Sequence, residues 1–335
     1  MKKRKTLWII VGVIILLVGG LFIGANYMLD STLDKMTTTE KLDKSEAEIN
    51  EDVLKKEEES QVINIAIFGI DKNNDQTDGR SDAMKILSLD TKNNRATITS
   101  IQRDTLIYIP GNIQDFSKLN HAYAYGGADL AMQTINYNFD LDLTRYVAFN
   151  FEGVQAVIDA MGGVEIEIKD FEVPYVTGVS KSGYQLLTGK EALSYMRIRH
   201  ADSDYVRMNR QTVVMEAIFS KLKTLGYNQL LNLLNECLPY VETNLNKSDI
   251  LSLGLQALKV DFANLQTYQI PSGGYADINH SVSYHGYSPL YVMNSYQEMV
   301  KELHQDIYGN DGYEPSQTIK ETEAKIYEKF GYVNK

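Results

Sequence analysis

The chain has 335 residues, of which 44% are hydrophobic and 23% are charged, and its formal net charge is −11. This composition is typical of globular proteins and excludes a wholly disordered chain. The single cysteine, Cys237, excludes an intramolecular disulfide framework and a cysteine-based zinc site. The acidic balance argues against a generic nucleic-acid-binding protein, because such proteins need a basic face.

The N-terminus is predicted to anchor the chain in a membrane. Residues 1–5 carry four basic side chains, and residues 6–29 form an uncharged run of 24 residues. A helix of about 20 apolar residues spans the hydrocarbon layer, and flanking basic residues keep their end in the cytoplasm. A cleaved signal peptide is the alternative, but its apolar core is shorter, at roughly 7–15 residues. We therefore expect a single-pass protein of the cell membrane with a cytoplasmic N-terminal tail.

The rest of the chain divides by composition into a stalk, a folded domain and a tail. Residues 30–60 hold eleven Asp or Glu and five Lys, with no Gly, Pro or aromatic residue. Such a segment is typical of a solvated spacer. Residues 61–305 are expected to fold as an extracytoplasmic domain, and residues 306–335 to form a charged C-terminal tail.

Strands and helices alternate along the expected domain. Strands are predicted over 62–70, 84–89, 96–101 and 146–151. Helices are predicted over 129–138, 151–161, 188–199, 210–225 and 228–238. Thr188 and Ser248 are expected to be N-caps, and Gly162-Gly163 to end the second helix. The alternation favours an α/β fold, a three-layer α/β/α sandwich with a central mixed sheet.

Arginine is unevenly distributed along the chain. Eight of the nine arginines lie between Arg80 and Arg210, and four fall within fourteen positions: Arg197, Arg199, Arg207 and Arg210. The planar guanidinium group donates two parallel hydrogen bonds to phosphate oxygens, so the cluster favours a phosphate site. Surface ion pairs with the neighbouring Asp202 and Asp204 are the alternative.

Carboxylates lie at the predicted strand ends, where open α/β sheets bind ligands. Asp71 directly follows the strand 62–70, Asp82 precedes the strand 84–89, and Arg103-Asp104 follow the strand 96–101. Magnesium takes one or two carboxylates together with substrate phosphate oxygens, so Asp71 and Asp82 are candidate ligands. The alternative is that these aspartates form turns. His121 stands alone in the sequence and is more often structural than catalytic in such a position.

Several nucleotide and hydrolase motifs are absent. The chain has no G-x-x-x-x-G-K-S/T, no G-x-G-x-x-G and no G-x-S-x-G. A P-loop, a Rossmann dinucleotide site and an α/β-hydrolase nucleophile are therefore not supported.

Seven ordered motifs carry a resemblance to a known family. They are NIAIFGID (64–71), GRSDAM (79–84), TSIQRDT (99–105), KLNHAYAYGG (118–127), VIDAMGGVEI (157–166), LLTGKEALSYMRIRH (186–200) and RMNRQ (207–211). Together with the anchor, they resemble the LytR–CpsA–Psr family of membrane-anchored cell-wall enzymes. The resemblance implies an α/β/α sandwich with a lipid-accommodating pocket, in which residues 61–305 are the catalytic domain.

The same resemblance implies the roles of individual residues. Asp71 and Asp82 match the acidic positions associated with magnesium or manganese, and with Arg103 they are the candidate catalytic residues. The candidate pyrophosphate-binding residues are Arg80, Arg103, Lys118, Arg197, Arg199, Arg207 and Gln211. Two departures stand out: Gln102 replaces the family's usual proline, and Leu106-Ile107 occupy positions where many members carry an arginine.

The implied activity is transfer of a glycopolymer from a polyprenyl-pyrophosphate carrier to peptidoglycan, with no nucleotide and no nucleic acid involved. The polymer is a teichoic acid, a capsule or a related wall polysaccharide. Two alternatives remain open on the residues alone. One is a pyrophosphatase, in which water replaces the acceptor hydroxyl. The other is a non-catalytic polysaccharide-binding surface protein, for which the 22 tyrosines would provide stacking surfaces.

Overall fold

A computed structural model describes residues 35–51, 53, 61–71, 79–198, scattered positions between 210 and 236, 238–257, 259–271, 276–293, 295–309 and 312–331. The predicted anchor, residues 6–29, lies outside these ranges. Within the ranges, no helix is both long enough and apolar enough to cross a bilayer.

The elements are numbered along the chain. The strands are β1 (Thr37–Thr38), β2 (Val62–Asp71), β3 (Arg80–Asp90), β4 (Arg95–Ile101), β5 (Leu106–Ile109), β6 (Asp115–Lys118), β7 (Tyr146–Asn150), β8 (Val164–Ile168), β9 (Gly183–Leu187), β10 (Val241–Thr243), β11 (Asp261–Ile270), β12 (Ala276–Tyr284) and β13 (Tyr287–Met293). The α-helices are α1 (Leu119–Phe139), α2 (Phe151–Ala160), α3 (Gly189–Met196), α4 (Lys247–Ala257), α5 (Tyr296–Tyr308) and α6 (Gln317–Phe330). Short 3₁₀ helices cover Val173–Tyr175 and Leu238–Tyr240.

The central sheet is mixed, as predicted. Its strand order is β1-β10-β7-β2-β3-β4-β11. Strand β3 runs antiparallel to β2 and β4, whereas β11 runs parallel to β4. The four predicted strands correspond to β2, β3, β4 and β7, and only their ends differ. Phe151 begins α2 rather than ending β7, because the Asn150 side chain caps that helix by accepting from Gly153 N at 2.8 Å.

One compact unit comprises residues 39–148, 243–245 and 259–335. Its core includes Phe68 and Met84 of the sheet together with Met132 of α1. The same core contains Leu42 and Ala47 from the segment expected to be a stalk, and Ile319 and Ile326 from the segment expected to be a charged tail. Both segments therefore bury apolar side chains, although their overall composition is highly charged.

The other unit contains the described residues of 1–38, 149–242 and 246–258. Its core includes Ile158, Val164 and Leu187, and also Val214 and Ile218 from the predicted helix 210–225. The described positions between 210 and 236 include many in helical conformation, in line with the two helices predicted there.

Three predicted helix ends can be compared with the structure. Gly162 and Gly163 follow α2 with φ of 74° and 93°, which confirms the stop signal. Thr188 caps α3 in a reciprocal arrangement with Glu191, as predicted, but α3 ends at Met196 rather than at residue 199. The prediction of Ser248 as the cap of α4 is wrong. The cap is Asn246, whose Oδ1 accepts from Asp249 N at 2.9 Å.

Candidate functional site

The loop between β4 and β5 is held in place by the start of α1. The N–H groups of Leu119 and Asn120, the first two residues of the helix, donate to the carbonyl oxygens of Thr105 and Arg103, both at 3.1 Å. The first N–H groups of a helix have no partner within the helix, so these contacts satisfy two of them without a side-chain cap. The backbone of Arg103 is therefore fixed against the segment that carries Lys118.

Two departures from the family pattern have structural explanations. The N–H group of Gln102 donates to the carbonyl oxygen of Ile270 at 2.9 Å, which ties the end of β4 to the end of β11. A proline at this position has no N–H group and makes no such bond. Leu106 and Ile107 are fully buried in the core around α1, so these positions stabilise the fold rather than the charged site.

Four charged side chains form a continuous network at the strand ends. Arg103 donates from Nη1 to Asp82 Oδ1 at 2.6 Å and from Nε to Asp104 Oδ2 at 3.3 Å. Lys118 donates from Nζ to Asp104 Oδ1 at 2.8 Å. All four side chains keep part of their surface exposed, between 14% and 22%. The structure thus brings together three of the predicted site residues, Asp82, Arg103 and Lys118.

Asp82 is placed by an irregularity of the sheet. Gly69 of β2 pairs with Ala83 of β3, but the next residue, Ile70, pairs with Ser81, so Asp82 is the extra residue of a β-bulge. Bulges redirect a side chain and are common beside functional sites. The pairing then continues from Asp71 to Arg80. The backbone of Asp71 is therefore beside that of Arg80, while the Asp71 side chain lies outside the described part of the molecule.

His121 belongs to the same region, which sequence reasoning did not recognise. Its Nδ1 is 2.7 Å from Ser117 Oγ, and its ring packs edge-on against Tyr287 with a centroid distance of 4.3 Å. Burial, and then the positive charges of Arg80 and Lys118, lower the pKa of His121 to about 4. The imidazole is therefore neutral at neutral pH. Its place on the first turn of α1, within KLNHAYAYGG, was the signal available in the sequence.

A glycine pair interrupts α1 just beyond this region. Gly126 and Gly127 have non-helical backbone angles, and the φ of Gly127 is 65°. A Cβ atom on Gly126 would lie 2.6 Å from the Leu130 Cβ atom, so this position is closed to larger residues. The sequence predicts this helix only from residue 129, because Gly126 and Gly127 interrupt the periodic pattern. In the structure the seven residues before the glycine pair, 119–125, are helical as well.

Two buried side-chain oxygens near the network accept no hydrogen bond from the described residues. They are Thr105 Oγ1 and Asn120 Oδ1. Buried polar atoms are normally paired. Both are therefore available to a donor from outside the described ranges.

The four-arginine cluster is not a uniform phosphate site. Arg210 is fully buried, and its Nε donates to Glu172 Oε1 at 2.8 Å, so this arginine forms a structural ion pair. Arg197 follows the last residue of α3, and its side chain is exposed. Arg199, Arg207 and Gln211 lie outside the described residues.

No preformed metal cage is found in the described ranges: they contain no group of three or more His, Cys, Asp or Glu side chains suited to hold an ion. The oxygen ligands present in the network are the carboxylates of Asp82 and Asp104. Both carboxylates accept hydrogen bonds from cationic side chains.

Comparison with known proteins identifies the family. The model of the LytR_cpsA_psr family matches residues 24–303. The chain belongs to this family. A curated relative is the polyisoprenyl-teichoic acid–peptidoglycan teichoic acid transferase TagU of Bacillus cereus, which is 31% identical over 82% of this chain and 90% of its own length.

Solved structures of LytR_cpsA_psr proteins share the fold. TagT bound to LIIa-WTA aligns with a TM-score of 0.55 and 29% identity, covering 74% of this chain and 91% of TagT. YwtF (TagT) with bound octaprenyl pyrophosphate lipid aligns with a TM-score of 0.51 and 26% identity, covering 74% of this chain and 90% of that protein.

Proposed function

We propose that this protein transfers a glycopolymer from a polyprenyl-pyrophosphate carrier to peptidoglycan. The family membership supports this, because relatives are named as teichoic acid transferases and a structural relative binds a polyprenyl pyrophosphate. The observation that carries the proposal is the network of Asp82, Arg103, Asp104 and Lys118 at the strand ends. It concentrates phosphate-binding cations and proton-accepting carboxylates at one edge of the sheet. Teichoic acid is the first polymer to test; capsule and other wall polysaccharides remain within the proposal.

The cations act on the phosphates of the donor. Transfer builds negative charge on the phosphate that reacts or departs, and preorganised donors stabilise that charge. Arg103 and Lys118 are already oriented by their carboxylate partners, so little reorganisation is needed when phosphate oxygens join or replace those partners. Arg80, Arg197, Arg199, Arg207 and Gln211 are proposed as further pyrophosphate-binding residues.

A carboxylate is proposed to take the proton of the acceptor hydroxyl. The candidates are Asp71, which ends β2, and Asp82, which is placed by the bulge in β3. General-base catalysis by a positioned carboxylate requires only that it reach the hydroxyl in the complex with substrate. His121 does not transfer a proton in this proposal.

Magnesium or manganese is proposed as the cofactor, held by Asp71 and Asp82. The chemistry of these ligands fits, since hard divalent cations prefer carboxylate oxygens and complete their coordination with substrate phosphates. When bound, such an ion would neutralise charge on the phosphates.

The proposal is tested by following a labelled glycopolymer from its lipid carrier. Full-length protein in membranes is incubated with the labelled donor and purified peptidoglycan, and label is counted in the peptidoglycan and in free polymer. We expect transfer by the wild type and at least a tenfold loss in Arg103→Gln, because a charge-assisted contact to phosphate is removed. Lys301→Gln, which changes a partly exposed lysine on α5 that pairs with Glu298, is the matched control and should retain activity.

The outcomes separate the competing functions. Label released as free polymer, with none in peptidoglycan, would identify a pyrophosphatase. Binding of the polymer with no change to the lipid-linked donor would identify a polysaccharide-binding protein. Either result would contradict the proposed transfer.

A further inference from the structure

The two faces of the central sheet differ in character along β3. Successive side chains of a strand point to opposite faces. Met84 and Ile86 belong to the core that contains α1, so Ala83, Lys85 and Leu87 lie on the other face. Pairing places Gly69 beside Ala83, and Ser100 beside Lys85, on this second face.

This second face is apolar at one end and open at the other. Ile65, Leu87, Leu89 and Ile98 on it are fully buried. At the opposite end Ile67, which pairs with Lys85, is fully buried, but five other residues keep accessible surface. We call these five the open end of the sheet: Gly69, Ala83, Lys85, Ser100 and Gln269. Three of these have small or absent side chains. A Cβ atom on Gly69 would lie only 3.0 Å from the Ala83 Cβ atom.

Lys85 is the charged residue of the open end. Its Nζ donates to Ser100 Oγ at 2.7 Å. Neighbouring atoms enclose the amine, and this loss of water lowers the pKa of Lys85 to about 7. Nevertheless, part of the residue is still accessible. The side chain is therefore half-buried, and an amine that has lost part of its water is stabilised in its charged form by an anionic partner.

The open end lies next to the charged network. Lys85 is three residues from Asp82 on β3, and Ser100 is three residues before Arg103 on β4. At a strand rise of about 3.3 Å per residue, the two sites are separated by about 10 Å along the sheet. One extended phosphate-bearing ligand is long enough to reach both.

We propose that Lys85 and Ser100 form a phosphate-binding subsite for the lipid-linked donor, in addition to the arginines. That the anion is the phosphate of the lipid-linked donor rests on the proposed function, whereas the preference for an anion rests on the half-buried amine of Lys85 and its contact with Ser100. Lys85 is then a specificity-determining residue: it selects a carrier that bears phosphate over the same polyprenyl chain without it.

The subsite is tested by binding to the full chain in detergent, with three probes. They are a polyprenyl pyrophosphate, the corresponding polyprenol and inorganic pyrophosphate. We expect Lys85→Met to weaken binding of the polyprenyl pyrophosphate by about tenfold or more, since a charge-assisted contact is lost, and to leave polyprenol binding unchanged. Lys85→Arg, which keeps the charge, should retain at least part of the affinity. Lys301→Met, at a partly exposed lysine outside both sites, is the control.

Thermal unfolding separates loss of the contact from loss of the fold. Methionine has a similar length and no charge to desolvate, so Lys85→Met should melt at the wild-type temperature or above it. Equal affinity of wild type and Lys85→Met for polyprenyl pyrophosphate would overturn the subsite. A loss confined to inorganic pyrophosphate would also overturn it, because the subsite would then serve a free anion. If no probe binds the wild type, the subsite is equally excluded.

Failure of the proposed function gives a different pattern. Lysine-dependent binding of the polyprenyl pyrophosphate without any transfer to peptidoglycan would contradict the transferase and leave the subsite standing. If Lys85→Met changes neither the transfer nor the binding of polyprenyl pyrophosphate, the subsite is contradicted and the transferase stands.

Discussion

At the scale of single residues, residue types were predictable from the sequence and their pairings were not. Asp82, Arg103 and Lys118 were predicted by motif, but nothing in the sequence shows that Arg103 contacts both Asp82 and Asp104. Arg210 is a residue whose sequence context suggested a phosphate site and whose role is structural. It lies among clustered arginines, yet its partner is Glu172, 38 positions away. Such pairs depend on how the chain folds back on itself, and local patterns do not contain that information.

The pKa of His121 predicts a dependence of stability on pH. The folded protein binds a proton at His121 only near pH 4, whereas an unfolded chain binds it near the ordinary pKa of about 6.5. The contribution of neutral His121 is therefore present in full above about pH 6.5 and decreases as the pH falls to about 4, by on the order of 3 kcal/mol.

Denaturant unfolding at about pH 7 and about pH 4 measures this effect. The free energy of unfolding should fall less between the two values in His121→Asn than in the wild type. The absolute stability of the variant does not matter for this comparison. Identical falls in the two proteins would show that the imidazole is not held neutral by its surroundings.

The proposed metal site predicts a linked change in rate and metal requirement. Asp82→Asn keeps the size of the side chain and removes its charge, so a hard cation should bind more weakly. We expect lower transfer and a higher magnesium concentration for half-maximal activity than in the wild type. Manganese should replace magnesium. Full transfer by the wild type in excess chelator would exclude the metal and leave the cationic side chains to stabilise the phosphate charge.

At the scale of elements, the sequence predicts which strands and helices form better than it predicts the residues at which they begin and end. The buried strand β2 was evident from its continuous apolar run, and the helix stop at Gly162-Gly163 was correct. Errors arose where two local signals compete. The segment before α4 contains both Asn246 and Ser248, which have comparable capping preferences, and the hydrogen bonds select Asn246.

This choice of cap is testable by a pair of alanine variants. Asn246 Oδ1 accepts from Asp249 N at 2.9 Å, while Ser248 Oγ donates to Asn246 and lies one residue inside the helix. Asn246→Ala should lower the free energy of unfolding by about 1 kcal/mol. Ser248→Ala should change it by less than about 0.5 kcal/mol, as is usual for exposed positions. The reverse order would restore Ser248 as the cap.

At the scale of the whole molecule, the basic residues at the N-terminus predict the orientation of the chain in the membrane. Basic residues before the apolar run 6–29 predict a cytoplasmic N-terminus, and therefore a C-terminus on the outer side. Reporters fused after Lys335 check this: one active only outside the cytoplasm should give signal, and one active only inside should not. The opposite signals would contradict both the topology and a role at the cell wall.

The C-terminal region is highly charged in composition, but it packs against the folded unit. Helix α6 is highly charged, but Ile319 and Ile326 lie on one face and are almost completely buried. Its start is tied to the end of α1, because Asp140 accepts from Ser316 N at 2.9 Å and Ser316 Oγ at 2.8 Å. Tyr313 donates to the same carboxylate and stacks on His304 of α5. These contacts make α6 part of the folded unit.

Because α6 is part of the folded unit, truncating one buried aliphatic side chain of this helix should lower the free energy of unfolding substantially. Ile326→Ala removes buried atoms and leaves a cavity, so the free energy of unfolding should fall by about 2–4 kcal/mol. Glu328→Ala, an exposed position two residues further on the same helix, should have an effect within about 0.5 kcal/mol. Denaturant titration of both variants measures the difference. Because α6 packs in the core that contains α1, and Lys118 directly precedes Leu119, the first residue of α1, a chain shortened before α6 should lose the geometry of the charged network as well as stability. Equal and small effects of the two substitutions would show that α6 is an appended tail after all.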